Sequence, residues 1–250
     1  MRRRSVITVM AVFCLAVLTA GADDFWVKKD WKTWTKGDCK KMLEESPWAK
    51  RSLVENNASN GSLPSAGQGS QSTAQLGNEG TGEITYYVQL RSAAPVRQAV
   101  IRQAQLDGKY DKMSDAEKKA FDDKMEKEMN LIKPEVIAVH VVFEANRVPL
   151  GDAVTKFWHS LPADSVPMNF YLVTEKGTKV PPMTFSFAKD TETEFDVTFP
   201  RNIGADPTIA PDAKSMKIQF PNPAVGDFAA KTVTSEYKFD KMSWNGKLTF

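Results

Sequence analysis

The sequence has 250 residues, with 33 basic and 31 acidic side chains and a formal net charge of +2. A charge this close to balance lacks the basic excess that nucleic-acid-binding proteins usually carry, so no nucleic-acid partner is expected. The length is sufficient for one large domain with a proper hydrophobic core, with or without appendages.

The first 22 residues have the three parts of a cleavable secretory signal. Three arginines at positions 2–4 precede an apolar run at 6–18, and Ala20 and Ala22 supply the small residues that a signal peptidase requires before Asp23. The run is shorter than the roughly 18 to 20 residues of a membrane span. We therefore expect residues 1–22 to be removed and the chain to be exported, to the periplasm or beyond the cell.

The mature chain would keep 228 residues, with 30 basic and 31 acidic side chains. It has no second apolar run of spanning length, so no membrane span is expected after cleavage. Cys39 would be its only cysteine, which excludes an intramolecular disulfide. A buried thiol is the favoured interpretation, and a disulfide to a second chain is the alternative.

Residues 23–56 form a tryptophan-rich segment in which one short helix is predicted. Thr35 and Asp38 fit the two positions of a capping box at its start. Pro47 disfavours helical geometry in the residue before it, so the helix should end near Glu45. A helix of about ten residues is marginal unless it packs against something.

The apolar side chains of this segment are its candidate interaction residues. They are Trp31, Trp34, Met42 and Leu43. Either the segment folds back onto the main domain, or it docks on a partner, for which an envelope protein or a polysaccharide is expected. Exposed tryptophans would favour the polysaccharide, because sugar rings stack on aromatic faces.

Residues 57–82 are dominated by Asn, Ser, Gly and Gln, which predicts a flexible linker, and residues 83–250 form the main domain. Alternating apolar residues predict strands around 84–91, 183–187, 195–199, 216–220 and 237–244, and the wholly apolar run 136–143 predicts a central strand. Two helices are predicted between the first strands, at about 95–108 and 114–133, and a short third one after Gly151. Asn245-Gly246 predicts a tight hairpin to the last strand.

These elements predict an α+β fold. We expect an antiparallel β-sandwich-like domain with helices inserted between the first strands, preceded by the short Trp-rich helix and the flexible linker.

No motif of the sequence assigns a catalytic, cofactor-binding or metal-binding residue, and no cofactor is expected. His140 lies within an apolar strand, where a hydrogen-bonded structural role is favoured, and His159 is expected at the surface. Asp190, Glu192, Glu194 and Asp196 crowd one loop and the start of the next strand. Charged residues that bound a hairpin are usually solvated, and the alternatives are the paired acids of a glycosidase-like enzyme or a calcium site. A non-catalytic binding or interaction module is therefore favoured, with a hydrolase that uses paired acidic residues as the alternative.

Several short segments resemble a group of proteins. They are Trp31, Trp34 and Cys39, then 46–49 (Ser-Pro-Trp-Ala), 92–99 (Ser-Ala-Ala-Pro-Val-Arg-Gln-Ala) and 244–248 (Trp-Asn-Gly-Lys-Leu). In these the chain resembles uncharacterised exported bacterial proteins of similar length. The resemblance implies a bacterial envelope setting and brings no activity or site residues with it.

Overall fold

A computed structural model describes residues 25–55, 82–161, 169–188, 191–225, 228 and 230–250. The predicted signal sequence, its cleavage site at Ala20, Ala22 and Asp23, and the predicted linker up to residue 81 lie outside the described residues. In the described part of the chain, no helix is long and apolar enough to cross a membrane.

Five α-helices are described. They are α1 (Phe25–Lys28), α2 (Lys36–Glu44), α3 (Ala94–Asp107), α4 (Asp115–Met129) and α5 (Val148–His159). The capping boxes predicted at Thr35 and Ser114 are both present, each with its acidic partner three residues on. α2 ends at Glu44, close to where Pro47 predicts its end. α5 begins three residues before Gly151, since Pro149 starts its first turn.

Thirteen strands are described. They are β1 (Ala49–Glu55), β2 (Glu83–Leu90), β3 (Val136–Ala145), β4 (Tyr171–Thr174), β5 (Lys179–Val180), β6 (Thr184–Phe187), β7 (Glu194–Pro200), β8 (Asn202–Ile203), β9 (Asp206–Pro207), β10 (Ser215–Asn222), β11 (Lys231–Lys238), β12 (Ser243–Trp244) and β13 (Lys247–Leu248). Every paired strand is antiparallel to its neighbour.

The strands form two main sheets. The first has the order β1-β2-β3-β7-β6, and the second has the order β11-β10-β4-β5. β3 is the middle strand of the first sheet, as its apolar run predicts. The short strands β12 and β13 form the hairpin predicted at Asn245-Gly246, where both turn residues have positive φ.

The two sheets contribute to one hydrophobic core. Tyr86 of β2 packs edge-on against Phe220 of β10, with ring centroids 5.2 Å apart. Two tyrosine hydroxyls cross the core: Tyr86 donates to Asn222 Oδ1 at 2.8 Å, and Tyr237 donates to the Val88 carbonyl at 2.8 Å. The predicted α+β class, with antiparallel sheets and helices inserted after the first strands, is confirmed. Its narrower description as a sandwich stays a prediction.

The Trp-rich segment packs against the main domain. Trp34, Met42 and Trp48 are fully buried, and Arg102 of α3 donates from Nε to the Trp34 carbonyl at 3.0 Å. β1, for which the sequence predicts no strand, pairs with β2 along its whole length. Residues on both sides of the predicted linker therefore belong to the same sheet.

Cys39 of α2 is fully buried, and burial raises the pKa of its thiol to about 11. Since the thiolate is the reactive form, we expect alkylation by iodoacetamide at pH 8 to be at least a hundredfold slower in the folded protein than in denaturant. Mass spectrometry of timed samples measures both rates. A disulfide-linked dimer on a non-reducing gel would contradict the buried position.

Candidate functional site

The outer face of the first sheet carries a row of polar side chains. Successive residues of a strand point to opposite faces, so the β2 residues that alternate with the core-facing Tyr86 and Val88 point outward. They include Tyr87 and Gln89, and Arg91, which directly follows β2, lines the same cavity. The pairing register places Gln89 opposite His140 of β3, which in turn lies opposite Asp196 of β7.

Helices α2 and α3 lie over this face and leave a cavity of about 550 Å³ beneath them. We call it the sheet–helix cavity. The sheet lines it with Tyr87, Gln89, Arg91, His140 and Glu194 among other side chains. Its volume is within the range of small-molecule sites in proteins.

His140 is the centre of the polar row, with only 5% of its side chain exposed. Its Nδ1 lies 2.9 Å from Asp196 Oδ1, a hydrogen bond that fixes the orientation of the ring. Its Nε2 lies 3.3 Å from Glu194 Oε2, but this contact lacks the alignment of a hydrogen bond. The imidazole is thus held between two carboxylates that are 32% and 48% exposed.

The His140 side chain holds the pKa of Glu194 below its ordinary value of 4.5, against the opposing effect of burial. A carboxyl group with a lowered pKa in the folded state stabilises the fold above its unfolded pKa, and this contribution disappears as the pH falls through the folded value.

We therefore expect the variant Glu194→Gln to melt below the wild type at pH 7, by a few degrees, and the difference to shrink as the pH falls from about 4.5 to 3. Melting curves of the two proteins across this pH range measure it. A difference that stays constant with pH would show that the ionised carboxylate does not stabilise the fold.

Two buried polar atoms, one in β2 and one in the turn that follows it, lack partners among the described residues. These are Gln89 Oε1 and Arg91 Nε, and both side chains line the sheet–helix cavity. Burial lowers the pKa of the Arg91 guanidinium, while Asp196 and Glu194 raise it by attraction. Nε2 of His140, in the lining of the same cavity, is a third such atom. Buried polar groups in proteins nearly always find a hydrogen bond, so these atoms make the cavity the candidate ligand site.

The charged groups at the helix side of the cavity are paired. Lys36 of α2 forms an ion pair with Asp107 of α3, and Lys40 lies 3.9 Å from Glu44 one turn later. These exposed pairs contribute little to stability. They leave few unpaired charges at the cavity rim.

The residues predicted as an interaction surface lie in several places. Trp34 and Met42 are fully buried, Trp31 is half-buried against the core, and Leu43 lines the sheet–helix cavity. In this structure Trp34 and Met42 are not available to a partner. Trp244 also packs inward, with its ring centroid 6.1 Å from that of Trp34.

Of the four acidic residues singled out in the sequence, the structure brings two together at His140. Glu194 and Asp196 share one face of β7, and Asp190 lies outside the described residues. Glu192 is exposed, and its backbone carbonyl oxygen lies 3.2 Å from Nε2 of the exposed His159. Among the described residues, no group of three or more His, Cys, Asp or Glu side chains is arranged to hold a metal ion.

Sequence reasoning missed Gln89 and Arg91 as site residues. The sequence marks them only as polar residues that alternate with apolar ones, a pattern that is typical of any strand in a sheet with one solvated face. That α2 and α3 cover this face of the sheet is visible only in the structure.

Comparison of the chain with protein-family models, with curated proteins and with solved structures found no match. The resemblance to exported bacterial proteins stays a prediction.

Proposed function

We propose that this is an exported, non-catalytic binding protein that takes a small polar ligand in the sheet–helix cavity. The observation that carries the proposal is the pair of unpaired buried atoms, Gln89 Oε1 and Arg91 Nε, on one wall of that cavity. Leaving a buried donor or acceptor unsatisfied costs about 1 to 3 kcal/mol, and a ligand that pairs with both removes this cost.

The placement of the two carboxylates favours binding over hydrolysis. Acid catalysis of glycoside cleavage needs two carboxyl groups on opposite sides of the scissile bond. Glu194 and Asp196 lie instead on one strand face, and both contact the same imidazole. They support the wall of the cavity and keep His140 in place.

Thermal-shift measurements with separate panels of amino acids, organic acids and saccharides test whether the protein binds a small polar ligand. We expect one panel to raise the melting temperature of the wild type and not that of Gln89→Leu, because the variant lacks the unpaired acceptor. The bound compound should be recovered unchanged after prolonged incubation. No shift from any panel would contradict the proposal, and turnover of the compound would favour the hydrolase.

The proposal that the protein is exported is supported by the signal sequence alone. Intact-mass measurement of protein from the envelope or medium should give a chain that begins at Asp23. Protein that retains residues 1–22 there would contradict it.

A further inference from the structure

The charges of the sheet–helix cavity are close to balanced. Three cationic and four acidic side chains line it, together with His140. The ion pairs Lys36–Asp107 and Lys40–Glu44 join helix side chains to each other, and His140 joins the carboxylates of the sheet. Arg91, the third cation, is outside these pairs but is attracted by Asp196 and Glu194. A neutral ligand leaves all of these charge interactions as they are.

The unpaired atoms require a ligand that can both donate and accept hydrogen bonds. Gln89 Oε1 is an acceptor, and Arg91 Nε is a donor. Gln89 lies in β2 and Arg91 directly follows the last residue of that strand, and both side chains line the same cavity. Hydroxyl groups donate and accept, so neighbouring hydroxyls of one small molecule suit both atoms.

An aromatic ring continues this row. Tyr87 lies two residues before Gln89 on the same face and lines the cavity. Its hydroxyl lies 3.4 Å from Glu144 Oε2, a long hydrogen bond at most, and its ring adjoins the apolar side chain of Val142, directly opposite on β3. Aromatic and aliphatic surfaces of this kind pack against the C–H face of a sugar ring.

Apolar side chains from the helices face the same space. They are Leu43 of α2 and Val100 and Ala104 of α3. The cavity therefore combines an apolar surface with a few fixed polar groups, which is the usual composition of a small-molecule site.

From these features we infer that the ligand is a neutral saccharide, with hydroxyls on Gln89 and Arg91 and a ring face on Tyr87. The inference rests on the proposed binding function and adds the class of ligand. It also assigns Tyr87, Gln89 and Arg91 as the residues that select this class.

Isothermal titration with neutral sugars and their charged counterparts tests the inference. The neutral probes are glucose, maltose, cellobiose and N,N′-diacetylchitobiose, and the charged probes are glucuronate, glucosamine and glucose 6-phosphate. We expect a neutral probe to bind at least tenfold more tightly than any charged one. Tighter binding of a charged sugar would overturn the neutral class, and a thermal shift with the amino-acid panel alone would overturn the saccharide class; both results leave the binding function standing. Binding by none of these probes, together with no thermal shift from any panel, would remove both the inference and the proposed function.

Three substitutions locate the contact. Gln89→Leu should weaken binding of the neutral probe at least about tenfold, because the acceptor is lost. Tyr87→Ala should weaken it by a similar factor, and Tyr87→Phe, which keeps the ring, should stay within about twofold. Gln219→Leu, on the outer face of the second sheet, is the matched control and should bind like the wild type. The assignment would be overturned if Gln89→Leu and Tyr87→Ala bound the probe as tightly as the control variant. Circular dichroism of each variant verifies that it is folded.

Discussion

Replacing Trp48 with alanine should lower the free energy of unfolding by about 3 to 5 kcal/mol. The Trp48 ring is fully buried, and its Nε1 donates to the Thr249 carbonyl at 2.7 Å, close to the end of the chain. Its centroid lies 6.0 Å from Trp26 and 6.3 Å from Trp244, in edge-to-face contacts. The substitution leaves a large cavity at the point where both ends of the described chain meet.

Urea unfolding followed by circular dichroism measures this loss. Val27→Ala is the control in the same segment, because the Val27 side chain is 75% exposed, and it should change the stability by less than about 0.5 kcal/mol. A Trp48→Ala protein as stable as this control would show that the Trp-rich segment does not pack on the domain in solution.

Replacing His140 with leucine should cost about 2 to 4 kcal/mol, since it leaves Glu194 and Asp196 side by side on β7 without the imidazole between them. Both carboxylates are partly exposed, so water screens the repulsion between them and limits the cost. The attraction of Arg91 for the two carboxylates remains and offsets part of the loss.

A double-mutant cycle separates this effect from a simple loss of packing. Adding Glu194→Gln to His140→Leu should recover about 1 kcal/mol or more, because it removes one of the two repelling charges. His159→Leu is the control histidine, exposed on α5, and should cost less than about 1 kcal/mol. No recovery in the double variant would mean that His140 acts only by filling space.

Much of the fold could be predicted because its signals are local. The capping boxes at Thr35 and Ser114 and the turn at Asn245-Gly246 depend on residues a few positions apart, and the structure contains all three. β1 could not be predicted in the same way. Its charged residues and its position at the edge of the sheet leave a weak alternation, and its strand geometry depends on pairing with β2.

The candidate site could be predicted only in pieces. Glu194 and Asp196 stood out as clustered acids, and His140 as a polar residue in an apolar strand. The row that joins Gln89, His140 and Asp196 depends on the registers of three strands and on two helices that cover them. Such contacts between distant parts of the chain have no signature in any one segment.

Because β1 pairs with β2, the chain between these two strands can change in length without changing how the strands pair. Glu55 and Glu83 lie opposite each other in the sheet, so the 27 residues between them connect two directly paired positions. Closing a loop costs free energy only with the logarithm of its length, so halving or doubling this stretch changes stability by roughly 0.6 kcal/mol. Insertions, deletions or an added peptide tag can accumulate there while the sheet register, and with it the cavity wall on β2, is preserved.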